Sequence, residues 1–218
     1  MKHELHLGLL SDATFGRGDG VAGLVDEEVE HDAATGLPFI RGRTLKGLLV
    51  EECANILYAL NGRAAQFDEA AKFLFGQSGS AVDDDALMRI GPALLSASLR
   101  AAVKVDVAAG LLTAADVLES LTAIRRQTAM DETGAPERGS LRAMRVVLRD
   151  TPLVAELTFR EKPPATALPL LAACALGLRR GGTGRNRGRG RLEAFVDDRK
   201  ATAEQFAQFC TLVEGDAL

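Results

Sequence analysis

Two short stretches of the sequence gather the side chains that could do chemistry. Residues 19–32, DGVAGLVDEEVEHD, carry six carboxylates and no lysine or arginine. Residues 178–192, LRRGGTGRNRGRGRL, carry six arginines and five glycines with no carboxylate and no aromatic. Carboxylates suit a hard divalent cation or a proton transfer. Arginines on a glycine-rich backbone suit a phosphodiester, because the guanidinium offers forked hydrogen bonds and glycine lets the main chain come close. The lack of aromatics in the second stretch argues that a nucleic-acid backbone is held there and that bases are not stacked on it. No GK[ST] follows the glycines, so a nucleotide-binding P-loop is excluded. A structural turn is the competing reading.

A third stretch, Arg41-Gly42-Arg43-Thr44-Leu45-Lys46-Gly47, puts Arg41, Arg43 and Lys46 at the start of an apolar-periodic segment. Cations at a helix N-terminus oppose the macrodipole by a few tenths of a kcal/mol, roughly, so a negative group is expected to compensate. A phosphate on the N-terminal amides would do so; a solvated basic turn is the alternative.

These stretches sit in an ordinary globular composition. The 218 residues are 47% hydrophobic and 26% charged, with a formal net charge of -4. That fits a single domain with a sizeable core and excludes a fibrous or globally disordered chain. The overall charge is mildly acidic, but the local field decides what binds where. The longest nearly uninterrupted apolar run, 168–178, is too short to span a bilayer. The three cysteines, Cys53, Cys174 and Cys210, are scattered among apolar neighbours and read as buried free thiols in a reducing, cytoplasmic setting. His3, His6 and His31 show no ligand spacing.

The elements follow from periodicity. Residues 2–10 alternate and then turn apolar, as a strand entering a core does. From Thr44, a plausible N-cap, apolar residues recur at helical spacing to Leu60, and Asn61-Gly62 closes the helix. A short helix is expected over 63–74, a disordered polar loop over 77–85, and a capped helix over 113–124. Residues 142–148 and 153–159 read as two strands joined by a hairpin-type link. A core helix is expected over 165–178 and a strand over 192–196. A last helix should open at Thr202, with Gln205 completing a capping box. The order is βαββαβ-like with insertions, an α+β fold.

Three segments together resemble a known family. TGLPFIRGRTLKGLL resembles the GLPYIPGSSLKG-type segment of the RAMP proteins of CRISPR effector complexes, GGTGRNRGRGRL their glycine-rich loop, and Arg126–Val147 the thumb segment of type III backbone subunits. The similarity is greatest to the multi-copy backbone subunit of the Csm complex, with type III-D subunits more distant. It implies a ferredoxin-like (RRM-like) core over 1–218, with insertions at about 63–112 and a thumb at about 126–141. It also implies a subunit that assembles with copies of itself and other subunits along a CRISPR RNA and presents the guide to a complementary target RNA. Arg41, Arg43, Lys46, Arg185, Asn186, Arg187 and Arg189 would contact RNA, and Met130 would wedge between bases. Asp26, placed where the family carries its cleaving aspartate, would be the catalytic and metal-holding residue, with a divalent ion such as Mg2+ as cofactor. Glu27, Glu28, Glu30 and Asp32 remain open as assistants. The alternatives are a non-catalytic scaffold or end-capping subunit and a free-standing RNA-binding domain. No histidine lies in the glycine loop or the helix start, so histidine-based cleavage is not expected.

Overall fold

The computed structural model describes residues 2–76, 86–129, 132–135, 137 and 139–215. The expected disordered loop at 77–85 and the wedge candidate Met130 lie outside the described residues.

The core is a four-stranded sheet formed by β1 (Lys2–Leu9), β2 (Met88–Ile90), β5 (Pro152–Phe159) and β6 (Leu192–Val196), in the order β2-β5-β1-β6. All neighbours are antiparallel. Alternation decides which face is covered: Leu5, Leu7 and Leu9 of β1, Leu153, Ala155 and Leu157 of β5, and Leu192, Ala194 and Val196 of β6 are buried. Helices α1 (Gly42–Leu60) and α5 (Ala167–Gly177) follow β1 and β5 in sequence and contact each other. The topology is therefore β1-α1-β2-β5-α5-β6, the ferredoxin-like arrangement. Helix α5, ALPLLAACALG, is buried along nearly its whole length. It is enclosed by the core and by α6 (Arg199–Gly215), which explains why the sequence there is apolar on every side.

After α1 the chain tightens into a 3-10 turn (Asn61–Phe67) and then α2 (Asp68–Phe75). Phe67 meets Phe209 of α6 with ring centroids 4.9 Å apart, tying this segment to the C-terminal helix. Between β2 and β5 come α3 (Ala97–Ala108), α4 (Ala114–Leu121) and a two-stranded sheet of β3 (Thr122–Gln127) and β4 (Arg142–Val147).

Several local expectations are corrected. The strands over 142–147 and 152–159 exist, but they do not pair with each other: β4 pairs with β3, whereas β5 enters the central sheet beside β1. The link turns the chain through Asp150, at φ 63, whose N–H donates to the Leu9 carbonyl at 2.7 Å. That bond hands the chain from one sheet to the other. Helix α1 opens at Gly42, one residue after an extended Arg41, and Thr44 lies within it. Helix α4 is capped by Thr113 in a reciprocal box with Asp116, but it stops at Leu121 and Thr122–Ile124 is strand. Helix α6 begins at Arg199, where Asp198 accepts from the Ala201 N–H at 2.7 Å. The Thr202 hydroxyl instead ties back to Val196, accepting from its N–H at 2.8 Å and donating to its carbonyl at 2.9 Å.

Leu157 is fully buried at the centre of β5. Leu157→Ala should therefore cost about 2–5 kcal/mol in urea unfolding, as expected for a core leucine leaving a cavity. A loss below 1 kcal/mol, roughly the cost of one methylene, would mean that the central sheet is packed differently.

Candidate RNA-binding and cleavage site

The site grows from the continuation of β1. Ala13 exchanges both backbone hydrogen bonds with Val147 at the end of β4, at 3.0 and 2.8 Å. Thr14 accepts from the Thr183 N–H at 2.8 Å, and Asp12 accepts from the Gly190 N–H at 2.9 Å. The glycine-rich loop is therefore laid on one side of this segment and the β3–β4 hairpin on the other.

The glycines of the loop serve the chain itself first. A side chain on Gly182, at φ 80, would collide with the Thr14 carbonyl, and one on Gly190, at φ 65, with the Gly181 carbonyl. The loop can close, Gly181 N–H to Gly190 carbonyl at 2.9 Å, only because these positions are bare. Gly188, by contrast, faces open space.

The acidic run packs along the free edge of β4. The Asp26 N–H donates to the Ala143 carbonyl at 2.7 Å, and the Arg145 N–H donates to the Glu27 carbonyl at 3.0 Å. This pairing sorts the carboxylates. Asp26 is exposed, and its Oδ2 accepts from the Ala143 N–H at 2.7 Å, which fixes the side chain against the strand. Glu27 accepts from the Thr183 hydroxyl at 2.6 Å. Glu28 is buried against Arg145. Glu30 is buried and pairs with Arg41. Asp32 accepts from the Thr35 hydroxyl at 2.9 Å and from the Thr35 and Ala34 N–H groups at 2.8 and 3.1 Å, closing the turn that leads into Leu37-Pro38. Those bonds, the Thr35 hydroxyl first, hold the Asp32 carboxyl below its ordinary value. Of the four carboxylates left open as assistants, only Glu27 lines the same cleft as Asp26.

That cleft, about 440 Å³, is walled by Asp26, Glu27, Gln127, Arg142, Met144 and Thr183. Gln127 and Arg142 also line the neighbouring opening, where Arg187 and Ser140 join them. Arg189 reaches the Met144 sulfur. Arg142 of the hairpin thus shares the cleft with the exposed Asp26 carboxylate, and Arg187 of the glycine loop lines the opening beside it.

The other expected contacts distribute differently. Arg185 forks onto Glu51 of α1, both N···O distances being 2.9 Å. The fork holds the Glu51 carboxyl below its ordinary value and raises that of the guanidinium. Asn186 and Arg187 are exposed at the tip of the loop. At the start of α1, Arg41 and Arg43 are exposed and Lys46 half-buried. The negative group expected beside this helix start is found within the chain, as Glu30 on Arg41.

Sequence reasoning did not single out Arg142, Gln127, Thr183 or Asp12. Asp12 binds Arg125 at 2.7 Å and accepts from the Arg149 N–H at 3.1 Å, locking the hairpin to β1. Thr183 and Arg142 fell within motifs whose arginines and methionine drew the attention; the others carry no local signal.

No group of three or more His, Cys, Asp or Glu side chains that could hold a metal occurs among the described residues. Mg2+ is commonly held by one or two carboxylates with substrate phosphates completing its shell. Asp26 with Glu27 beside it fits that mode. No helix among the described residues is long and apolar enough to cross a membrane.

A family model for the RAMP superfamily matches residues 9–193 of the chain. No curated protein matches it. Among solved structures, a chain of type III-B Cmr-beta bound to cognate target RNA matches with a TM-score of 0.60 at 13% identity, covering 94% of this chain and 98% of that one. A chain of type III-B Cmr-beta in the apo state matches with a TM-score of 0.62 at 12% identity, covering 91% and 98%. Both come from Cmr assemblies, where the motif resemblance pointed to Csm. At such identity the likeness speaks for the fold.

Thr35→Val should raise the Asp32 pKa toward the ordinary carboxylate value, measured by NMR titration of the side-chain carbon. Because the folded value is depressed, what Asp32 contributes to stability is fully present above its unfolded value and lost as pH falls through the folded one. An unshifted titration in the variant would mean that the turn is not closed by this bond. Gly190→Ala should destabilise the chain by more than the roughly 1 kcal/mol of an ordinary left-handed position, because a backbone carbonyl blocks the methyl. Unchanged urea stability would contradict the closed loop.

Proposed function

The chain belongs to the RAMP superfamily, and we propose that within it the protein is an RNA-holding backbone subunit of a type III CRISPR effector complex that cleaves the guide-paired target RNA. The observation that carries this reading is an exposed carboxylate, fixed by the main chain, in a cleft shared with Arg142 of the hairpin, with Arg187 of the glycine loop in the opening that adjoins it. A nuclease acting on a held strand needs both: cations to grip phosphates and a carboxylate beside the scissile one.

In this reading Arg142, Arg187 and Arg189 hold the RNA backbone, and the hairpin connection, including Met130, sets the strand's path. Arg41, Arg43, Lys46 and Asn186 extend the grip, while Arg185 contributes less because Glu51 already occupies it. The Asp26 carboxylate, anchored through Oδ2 to the Ala143 N–H, is positioned to accept a proton from an attacking hydroxyl or to hold Mg2+ together with RNA phosphates. The ion, when bound, would offset charge developing on the phosphate. The partners are a CRISPR RNA, its complementary target, further copies of the chain and other subunits of the complex.

One observation favours a second reading, a non-catalytic scaffold: the thin set of protein ligands for a metal. Cleavage assays separate the two. Asp26→Asn keeps an oxygen to accept from the Ala143 N–H but removes the charge. In guide-loaded assemblies with Mg2+ it should bind target normally and cut roughly 10²–10⁴-fold more slowly. If the wild-type assembly binds target without cutting it, the scaffold reading holds. Independently, Arg187→Ala should lessen the salt dependence of guide binding, by about 0.7 in the slope of log K against log salt for one lost phosphate contact. Arg185→Ala should change it less. An unchanged slope for Arg187→Ala would remove the loop tip from the RNA path.

A further inference from the structure

Asp26-Glu27-Glu28 is a run of chemically similar carboxylates lying along a strand edge. Nothing in the run itself fixes which of them faces the cleft. A slip of one residue along β4 would exchange their faces and put a different carboxylate beside the arginines. Val25 and Val29 are buried at either end of the run, but apolar contact is non-directional.

The bonds of Asp26 to Ala143 and of Glu27 to Thr183 are exposed, and the buried directional element is an ion pair. Glu28 is 2% exposed and Arg145 7% exposed. The Arg145 Nε donates to both Glu28 oxygens, at 2.8 and 3.1 Å, and its Nη1 donates to the Thr122 hydroxyl on β3 at 3.2 Å. The main chain of the same arginine is engaged on both sides, its N–H with the Glu27 carbonyl at 3.0 Å and its carbonyl with the Thr14 hydroxyl at 2.8 Å. Stability alone does not account for such a pair, since well-packed apolar residues in its place commonly serve as well or better. What the pair supplies is register, because an arginine whose main chain is bonded on both sides and whose guanidinium is tied to Thr122 meets a carboxylate at one position along the strand.

We propose that Glu28 and Arg145 are positioning residues for cleavage. Their buried pair locks the acidic segment in register on β4 and so leaves Asp26 as the exposed carboxylate of the cleft, with Glu27 turned onto Thr183. Because β4 is also a strand of the hairpin, the carboxylate and the hairpin move as one body, and the seating of the hairpin on paired RNA governs where Asp26 lies. This rests on the reading of Asp26 as the cleaving residue.

The test is the double variant Glu28→Met/Arg145→Met, which keeps the bulk and removes the directional bonds, in guide-loaded assemblies with Mg2+. Thermal midpoint and target affinity should stay near wild type, while the cleavage rate at saturating target falls by about 100-fold, as a small misplacement of a reacting group can cause. Hydrogen exchange at the Asp26 amide should quicken. Cleavage at the wild-type rate overturns the proposal. If the double variant does not assemble, Arg145→Lys, which keeps the charge and cannot bond Glu28 and Thr122 through a rigid planar group, is judged by the same rate. If the wild-type assembly itself does not cut, the reading of Asp26 fails, and the positioning claim is decided by exchange: an Asp26 amide as protected in the double variant as in wild type overturns it.

Discussion

The site depends on one stretch of backbone, Asp12–Phe15, being hydrogen-bonded on both sides. Leaving the central sheet, β1 continues between the hairpin and the glycine-rich loop, binding Val147 through Ala13 and Thr183 through Thr14. Phe15 accepts from the Glu30 N–H at 3.2 Å and so anchors the far end of the acidic run as well. Three segments distant in sequence reach one cleft because this extension gives each a backbone partner. The bare Gly182 is the condition for that approach, since any side chain there would strike the Thr14 carbonyl. The central sheet positions the site, and the extension transmits that position.

Charge is distributed with the same economy. Of the carboxylates between Asp26 and Asp32, Glu28 and Glu30 neutralise Arg145 and Arg41, and Asp32 closes a turn. What remains for the cleft is Asp26, with Glu27 turned onto Thr183. The arginines divide likewise: Arg185 braces the loop against α1 through Glu51, Arg125 locks the hairpin through Asp12, and Arg142 and Arg187 are left beside the cleft. A chain of net charge -4 can thus leave arginines beside an exposed carboxylate.

Much of the core was legible in the sequence because its signals are local. Period-two alternation marks β1 and β5, and the wholly apolar 168–178 run marks a helix enclosed on all sides. Strand partners are a different matter. Residues 142–147 and 152–159 look like a hairpin, yet alternation says only that each is a strand, and a single left-handed Asp150 bonded to Leu9 sends them to different sheets. Helix starts were misplaced at Thr44 and Thr202 because a capping side chain is recognisable by type, whereas the structure starts α1 after an extended arginine and gives the Thr202 hydroxyl to Val196. The site was legible as two charged stretches and no further. The partners that sort the acidic run, Arg145 for Glu28 and Thr183 for Glu27, lie 117 and 156 residues away, beyond the reach of any local pattern.

The central claim is that paired RNA runs through the cleft between the hairpin and the glycine-rich loop, with a phosphate beside Asp26. Its most direct test is a cryo-EM reconstruction of the guide- and target-loaded assembly carrying Asp26→Asn to keep the target intact. The account predicts target-strand density with one phosphate within coordination distance of residue 26, flanked by Arg142 and Arg187. Target density that follows another face, leaving this cleft without RNA, would contradict it.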